Sequence, residues 1–248
     1  MRRHLELVMI AVLLVAASVV IYVIQWEIFH DTRDALFYLL QDLAFLPVQI
    51  LLVAVIVERI LARREKNRLL HKMNMVIGTF FSELGIKLLG LLTDFVENRE
   101  GLRQRLAIGT KWTGQDWKQA LETAGRFNYE VDAARMDLAA ARDLLAGNRQ
   151  LLTLLLANPN LMEHERFTDL LWAVSHLLEE LTARSSLEGL PPSDLDHLAG
   201  DIRRVCSQLT VQWLLYCRHL QSAYPYIYSI MVRTQPLQEA PSAVIRQA

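Results

Sequence analysis

Residues 35–57 read ALFYLLQDLAFLPVQILLVAVIV, an apolar run that only Gln41, Asp42, Pro47 and Gln49 interrupt. A membrane-spanning helix needs about 20 predominantly apolar residues. At 23 residues, this stretch is long enough to cross a bilayer with some tilt. The stretch therefore predicts one membrane-spanning helix.

A second apolar stretch comes earlier in the chain, at residues 7–24, and contains no charged residue. It is too long for the apolar core of a typical signal peptide, so we expect an uncleaved anchor. The predicted spans are residues 5–25 and 35–57, and the connector at residues 25–34 is short. The two helices are therefore predicted to form an antiparallel transmembrane hairpin within residues 1–58.

Basic residues near the ends of the predicted spans set the orientation of the hairpin. Arg2 and Arg3 precede the first span, and only Arg33 lies in the connector. The residues after the second span include six basic ones: Arg59, Arg63, Arg64, Lys66, Arg68 and Lys72. Because basic residues concentrate on the cytoplasmic side, both termini are predicted to be cytoplasmic. The same six residues could also attract anionic lipid headgroups, although setting the topology is sufficient to explain them.

Polar residues inside the second span have two interpretations. Asp42 and Gln49 lie seven residues apart, so they share one helix face, and Gln41 is adjacent. Intramembrane acids often mark ion or proton paths. Alternatively, Asp42 sits near the outer interface, where it pairs with Arg33 or a neighbouring chain, and Gln49 bonds between helices. We favour the structural interpretation because only one acid is present. Since two helices cannot enclose a polar face in lipid, we also expect a homo-oligomer.

Residues 59–100 predict a basic juxtamembrane segment that continues into an amphipathic helix. Its apolar residues recur at helical spacing and form one stripe. The stripe consists of Ile77, Phe80, Phe81, Leu84, Leu88, Leu91, Leu92 and Phe95. We expect it to pack against a cytoplasmic bundle rather than lie on the membrane, because the polar side lacks Lys/Arg enrichment.

Residues 101–234 are predicted to form that bundle, an antiparallel arrangement of helices. A linker is expected at residues 100–113. The expected helices cover residues 115–126, 128–156, 161–183 and a segment beginning at Pro191-Pro192. Short breaks between amphipathic helices are typical of such bundles. Prolines in residues 235–248 predict a flexible tail, and the whole chain is predicted to be all-α.

Composition and motifs argue against several classes of function. The net charge of −1 argues against a protein that wraps nucleic acid. The sequence has no glycine-rich phosphate loop, no Gly-x-Ser-x-Gly motif and no cysteine pair at zinc-binding spacing. Catalysis therefore has no positive support, and we expect no cofactor. Cys206 and Cys217 would lie about 16 Å apart along one helix, so they are predicted to be buried, reduced thiols.

The most suggestive polar sets place His176 with Glu179 and Glu180 on one helix and His197 with Asp201 on the last one. The candidates for a metal site are His164, His176, Glu179 and His197. Facing helices of a bundle can bind a metal between Glu and His side chains. However, His164 and His176 are twelve residues apart, which separates them by about 120° around a helix. One ion cannot readily bind both, so we expect no metal. We interpret His164, which projects near the apolar stripe, as a buried, hydrogen-bonded histidine.

Two segments resemble a known family. They are FYLLQDLAFL at residues 37–46 and NPNLMEHERFTDLLWA at residues 158–173. Together they are similar to a family of uncharacterised bacterial and archaeal membrane proteins with two N-terminal transmembrane helices and a cytoplasmic helical domain. The resemblance implies a prokaryotic inner-membrane location and implies no activity or site residues.

Three hypotheses for function follow. The first is a non-enzymatic, self-associating inner-membrane protein whose cytoplasmic helical domain binds a protein partner or transmits a signal. The second is a small homo-oligomeric cation channel in which Asp42 and Gln49 line the pathway. The third is a membrane-bound metal-dependent enzyme that uses the region of His164, His176 and His197.

Overall fold

The computed structural model describes residues 2–29, 32–161, 164–238 and 241–244. The chain divides into two compact units, Met1–Lys66 and Asn67–Ala248. We describe each unit by itself.

The described residues are helical in every regular element. The helices are α1 (Arg2–Phe29), α2 (Thr32–Phe80), α3 (Ile86–Thr93), α4 (Arg99–Leu106), α5 (Gly114–Arg126), α6 (Leu138–Gly147), α7 (Arg149–Leu156), α8 (Glu165–Ala183), α9 (Pro192–Ala223) and α10 (Pro225–Thr234). Extended pairing in the described part of the chain is limited to one isolated antiparallel bridge, between Val96 and Val131. The predicted all-α fold is confirmed.

The first unit consists of α1 and the part of α2 that precedes residue 67. Large apolar side chains along α2 are exposed, including Leu36, Leu40, Leu43, Ile50, Leu51 and Val53. α1 continues to Phe29 and α2 begins at Thr32, so the predicted connector at residues 25–34 is helical wherever it is described. Helix formation there agrees with the absence of glycine and proline from this stretch.

The second unit is built around α9, which packs against α3, α5, α8 and α10. Its buried face includes Trp213, Cys206 and Cys217. Both cysteines are free, as predicted. Burial raises the pKa of the Cys206 thiol to about 12, so it stays protonated at neutral pH.

Aromatic side chains where α2 ends form the centre of this core. Phe80 and Phe81 are fully buried, and the Phe81 ring stacks on Tyr216 of α9 at 5.1 Å between centroids. A π-helical turn, Phe81–Gly85, follows α2. A Cβ at Gly85 would lie 2.6 Å from Phe81 Cδ1 and 2.8 Å from Phe80 Cε1, so the turn needs glycine for these rings to pack. Six members of the predicted stripe are buried: Ile77, Phe80, Phe81, Leu84, Leu88 and Leu92.

The segment predicted as a linker, residues 100–113, begins as helix α4 instead. Leu102 and Leu106 are fully buried on one face of α4, and this burial stabilises a helix that contains Gly101. Helix α5 then begins after Thr113, whose side chain accepts a hydrogen bond from the Asp116 N–H. The Asp116 carboxylate accepts one from the Thr113 N–H, which completes a capping box.

The prediction of a single helix over residues 128–156 was wrong in two places. The structure forms α6 and α7 from residues 138–156, with a break at Asn148. Before α6, the Asp132 carboxylate accepts from the Ala134 N–H at 2.9 Å, and Asp137 accepts from the Ala140 N–H at 2.8 Å. Short acidic side chains thus take backbone donors locally and restart the helix at residue 138.

The prediction of a flexible tail at residues 235–248 placed its start too early. Gln235 is 1% exposed, and its side-chain amide accepts from the Ile108 N–H and donates to the Ile108 carbonyl, both at 2.9 Å. Leu237 is also buried. These contacts pack the start of the tail onto the second unit. Residues 239–240 and 245–248 lie outside the described part of the chain.

Candidate functional site

The acid of the second predicted span has a partner within the first unit. The Tyr22 hydroxyl of α1 donates a hydrogen bond to Asp42 Oδ2 of α2, at 3.2 Å. The alternative partner, Arg33, has a side chain outside the described set. Gln41 and Gln49 are exposed, and neither forms a hydrogen bond with a described residue.

The basic residues after the second predicted span all lie on α2. The side chains of Arg59, Arg63 and Arg64 are exposed. Those of Lys66, Arg68 and Lys72 lie outside the described side chains.

The second unit contains a cluster of titratable side chains between α8 and α9. We call it the histidine–carboxylate cluster and define it as His176 and Glu180 of α8 with His197 and Asp201 of α9. The cluster forms because the later residues of α8 lie against the earlier residues of α9. Helical spacing then places each pair, 176/180 and 197/201, one turn apart on the shared face.

The distances within the cluster are short. Asp201 Oδ2 lies 3.3 Å from His176 Nε2 and 3.5 Å from His197 Nε2. Glu180 approaches both rings, with Oε1 3.8 Å from His176 Nε2 and Oε2 3.5 Å from His197 Nε2. One ring nitrogen each from His176 and His197 and a carboxylate oxygen of Asp201 lie within 4.8 Å of one another. They could together hold one metal ion.

Burial is uneven across the cluster. The side chain of Asp201 is 6% exposed, whereas those of His176 and His197 are 45% and 53% exposed. Asp201 Oδ2 makes no aligned hydrogen bond with a described residue. On the other oxygen, Oδ1, Asp201 has an ion pair with Arg204 at 3.4 Å. A buried acceptor therefore faces two exposed imidazoles, that of His176 on α8 and that of His197 one turn away on α9.

Arg184 at the end of α8 holds one side of the cluster in place. Its guanidinium donates to both oxygens of Asp194, at 2.8 and 2.6 Å, and to Glu180 Oε2 at 2.9 Å. It also donates to the Glu180 backbone carbonyl. The hydrogen bond from Arg184 lowers the pKa of Glu180, and the same cause lowers the pKa of Asp194. Both carboxylates are consequently ionised at neutral pH.

The structure brings together only two of the four residues proposed from sequence for a metal. His176 and His197 belong to the cluster. Glu179 instead forms an ion pair with Arg149 of α7 at 2.6 Å, on another face of α8. His164 is the N-cap of α8, where its Nδ1 accepts from the Phe167 N–H at 3.2 Å. The hydrogen bond agrees with the interpretation of His164, although the residue is half-buried rather than buried.

Asp201 was grouped with His197 from the sequence but was not among the four metal candidates, and Arg184 was not singled out. The spacing of His197 and Asp201 gave a signal, since residues four apart share a helix face. Their meeting with His176 depends on the register between α8 and α9, which no local pattern specifies.

An open groove of about 370 Å³ lies between α7 and α8 beside the cluster. Trp172, which is 63% exposed, and Leu156 give it an apolar side, and Arg149 and Glu179 give it a charged one. His176 borders both the groove and the cluster.

These features define an all-helical protein with an apolar N-terminal unit and a larger helical domain that contains a histidine–carboxylate cluster. The chain belongs to the MJ1433 family. A family model described as "MJ1433, N-terminal helical domain" matches residues 2–61. A second, described as "Uncharacterized protein MJ1433, C-terminal helical domain", matches residues 69–233. The interval between these matches contains the division of the structure after Lys66.

One relative is described as "Uncharacterized protein MJ1433", from the archaeon Methanocaldococcus jannaschii. It is 41% identical to this chain over 231 residues, which cover 93% of this chain and 92% of the relative. No solved structure matches the chain.

Proposed function

We propose that this chain is a self-associating membrane protein in which a two-helix transmembrane hairpin anchors a cytoplasmic helical domain that binds a protein partner. The proposal rests on the unburied apolar surface of α2. Leu36–Glu65 is long and apolar enough to cross a bilayer, and none of its most apolar window is buried. Exposing a Val, Leu, Ile or Phe side chain to water costs about 1.5–3 kcal/mol relative to burying it. A bilayer removes that cost for the whole segment.

The contrast with another apolar helical segment supports this assignment. Met73–Thr93 also passes the test of length and composition, but 44% of its window is buried, and it supplies core residues of the second unit. It behaves as a core helix. In α1, the apolar stretch among the described residues is shorter, Val15–Ile28. The Tyr22–Asp42 hydrogen bond supports pairing of α1 with α2 as the hairpin.

The basic residues give the orientation in this proposal. Arg59, Arg63 and Arg64 follow the apolar run at residues 35–57. This charge distribution favours a cytoplasmic location for the residues after that run. The second unit is then a cytoplasmic, antiparallel helical bundle, which the hairpin anchors to the inner membrane of a prokaryote. The groove beside the exposed Trp172 is the apolar surface that it offers to a protein partner.

The exposed amide of Gln49 supports self-association. Its amide is exposed on the apolar segment and meets no partner among the described residues. In hydrocarbon an unpaired amide is unfavourable, and Gln side chains commonly hydrogen-bond between membrane helices. A second copy of this chain supplies the matching group.

Cysteine cross-linking in native membranes tests the self-association. We expect Val53→Cys, which lies one turn from Gln49 on the same face and leaves its amide in place, to form a disulfide-linked dimer under mild oxidation. The matched control is Leu51→Cys, which lies about 200° around the helix from Val53 and should remain monomeric. Cys206 and Cys217 are buried, so they should contribute little background. A monomer in mild detergent, combined with equal cross-linking at both positions, would contradict self-association through this face.

A further inference from the structure

We propose that the histidine–carboxylate cluster binds one divalent transition-metal ion through His176 Nε2, His197 Nε2 and Asp201 Oδ2. This site goes beyond the proposed membrane anchoring and does not depend on it. The ligands come from two helices, so the ion would tie α8 to α9. Two of the four residues proposed from the sequence, His176 and His197, belong to this ligand set, and Asp201 completes it.

The geometry of the three ligand atoms suits a metal. Bonds from a transition metal to imidazole nitrogen or carboxylate oxygen are about 2.0–2.2 Å long, which in a tetrahedral site places neighbouring ligand atoms about 3.3–3.6 Å apart. Asp201 Oδ2 already lies 3.3 Å from His176 Nε2 and 3.5 Å from His197 Nε2. One ligand atom from each of the three residues lies within 4.8 Å of the other two. Small rotations of two exposed imidazole rings would complete the arrangement.

The buried oxygen of Asp201 is the second, independent observation. A buried carboxylate oxygen normally accepts a hydrogen bond, because leaving it unpaired is unfavourable. Asp201 Oδ2 accepts none from the described residues, although both ring nitrogens lie near it. A cation between the three atoms would satisfy this oxygen and use the nitrogen lone pairs at the same time.

Neighbouring side chains hold the ligands as outer partners of a metal site would. Arg204 pairs with Asp201 Oδ1 and leaves Oδ2 facing the rings. Arg184 fixes Glu180, whose oxygens lie 3.5 and 3.8 Å from the two ring nitrogens. Glu180 is thus placed to act as a fourth ligand or to accept a hydrogen bond from a metal-bound water. Such outer contacts orient ligands and strengthen metal affinity.

The donor set indicates the class of ion. Two imidazoles and one carboxylate suit Zn²⁺, Fe²⁺ and related first-row ions, whereas Mg²⁺ and Ca²⁺ prefer all-oxygen sites. Both imidazoles are exposed, so the remaining coordination positions open to solvent. A three-ligand site with an open position is the form that transition-metal sites take when they bind water or a small ligand.

Metal titration of the full-length protein in detergent tests the site. After treatment with a chelator and desalting, calorimetry with Zn²⁺ should give one ion bound at this site per chain, and Mg²⁺ should not compete. We expect His176→Gln, His197→Gln and Asp201→Asn each to weaken that binding at least about tenfold, since even outer-partner changes cost 10–100-fold. Co²⁺ should give a visible absorption band that the same variants lose.

Two control variants separate this site from other histidines and acids. Glu179→Gln removes an acid on the neighbouring face of α8, and His164→Asn preserves N-cap hydrogen bonding of α8. Both should bind Zn²⁺ like the wild type. Because His176 and His197 are exposed, their variants should fold even if Asp201→Asn does not. Equal Zn²⁺ binding by the wild type and both histidine variants, or none by the wild type, would overturn the proposal.

Discussion

Replacing Phe81 with alanine is expected to lower the stability of the second unit by about 3–5 kcal/mol. Phe81 is fully buried, stacks on Tyr216 and meets Phe80 edge-on at 5.2 Å. Its removal takes away transfer free energy and leaves a cavity between the end of α2 and α9. For a unit of this size, each kcal/mol shifts the melting temperature by about 2–4 °C. A thermal melt followed by circular dichroism should therefore shift downward by about 10 °C.

The matched control is Trp172→Ala, which removes a larger aromatic ring at an exposed position. Changes at such positions are usually within about 0.5 kcal/mol. We expect its melting temperature to stay within about 2 °C of the wild type. If Phe81→Ala melts as Trp172→Ala does, Phe81 does not lie at the centre of the core.

Introducing two arginines, Leu51→Arg with Val55→Arg, is expected to prevent stable insertion of the proposed second span. The two residues lie one turn apart on the apolar segment of α2, and both are exposed. An arginine at the centre of a membrane helix costs about 2.5–3.5 kcal/mol on insertion scales, so the pair costs about 5–7 kcal/mol. Each flanking Leu, Ile, Phe or Val contributes only about 0.3–0.6 kcal/mol to insertion.

Carbonate washing of membranes followed by immunoblotting measures this effect. The double variant should move largely to the soluble or aggregated fraction, whereas the wild type should remain in the pellet. Leu61→Arg is the control, because Leu61 lies among Arg59, Arg63 and Arg64, where an added positive charge is favourable. A double variant that is retained as fully as this control would show that α2 does not cross the bilayer at residues 51–55.

The sequence predicted the helical core where one physical factor dominates. The stripe from Ile77 to Leu92 repeats at helical spacing, and burial of that stripe outweighs all local preferences. The same reasoning identified the buried cysteines on α9. In these segments, apolar periodicity and helix propensity agree, so the pattern was sufficient.

Other segments could not be predicted because local and tertiary effects oppose the average pattern. Residues 128–137 have the composition of a helix, yet Asp132 and Asp137 bind backbone N–H groups, and Val131 pairs with Val96. Gly101 suggested a linker, but burial of Leu102 and Leu106 maintains α4. Pro236 and Pro241 suggested a tail from residue 235, but the hydrogen bonds of Gln235 to Ile108 link positions far apart in sequence.

The sequence predicted the two residue pairs of the candidate site, but it did not predict that they meet. The pair His197 and Asp201 shares a helix face by spacing alone, and His176 and Glu180 do so on α8. The pairing of these two faces depends on how α8 and α9 align, which the Arg184–Asp194 contact at their ends helps to fix. Burial of Asp201 is likewise a tertiary property, so the sequence grouped Asp201 with His197 but did not identify it as a metal ligand.

The topology of the chain in cells tests the central proposal most directly. A green fluorescent protein fused after Ala248 should fluoresce, because it folds in the cytoplasm, and alkaline phosphatase at that position should be inactive. Phosphatase fused at Asp31, in the predicted connector, should be active outside the membrane. Active phosphatase after Ala248, or release of the unmodified protein from membranes by carbonate, would contradict the hairpin and the cytoplasmic location of the helical domain.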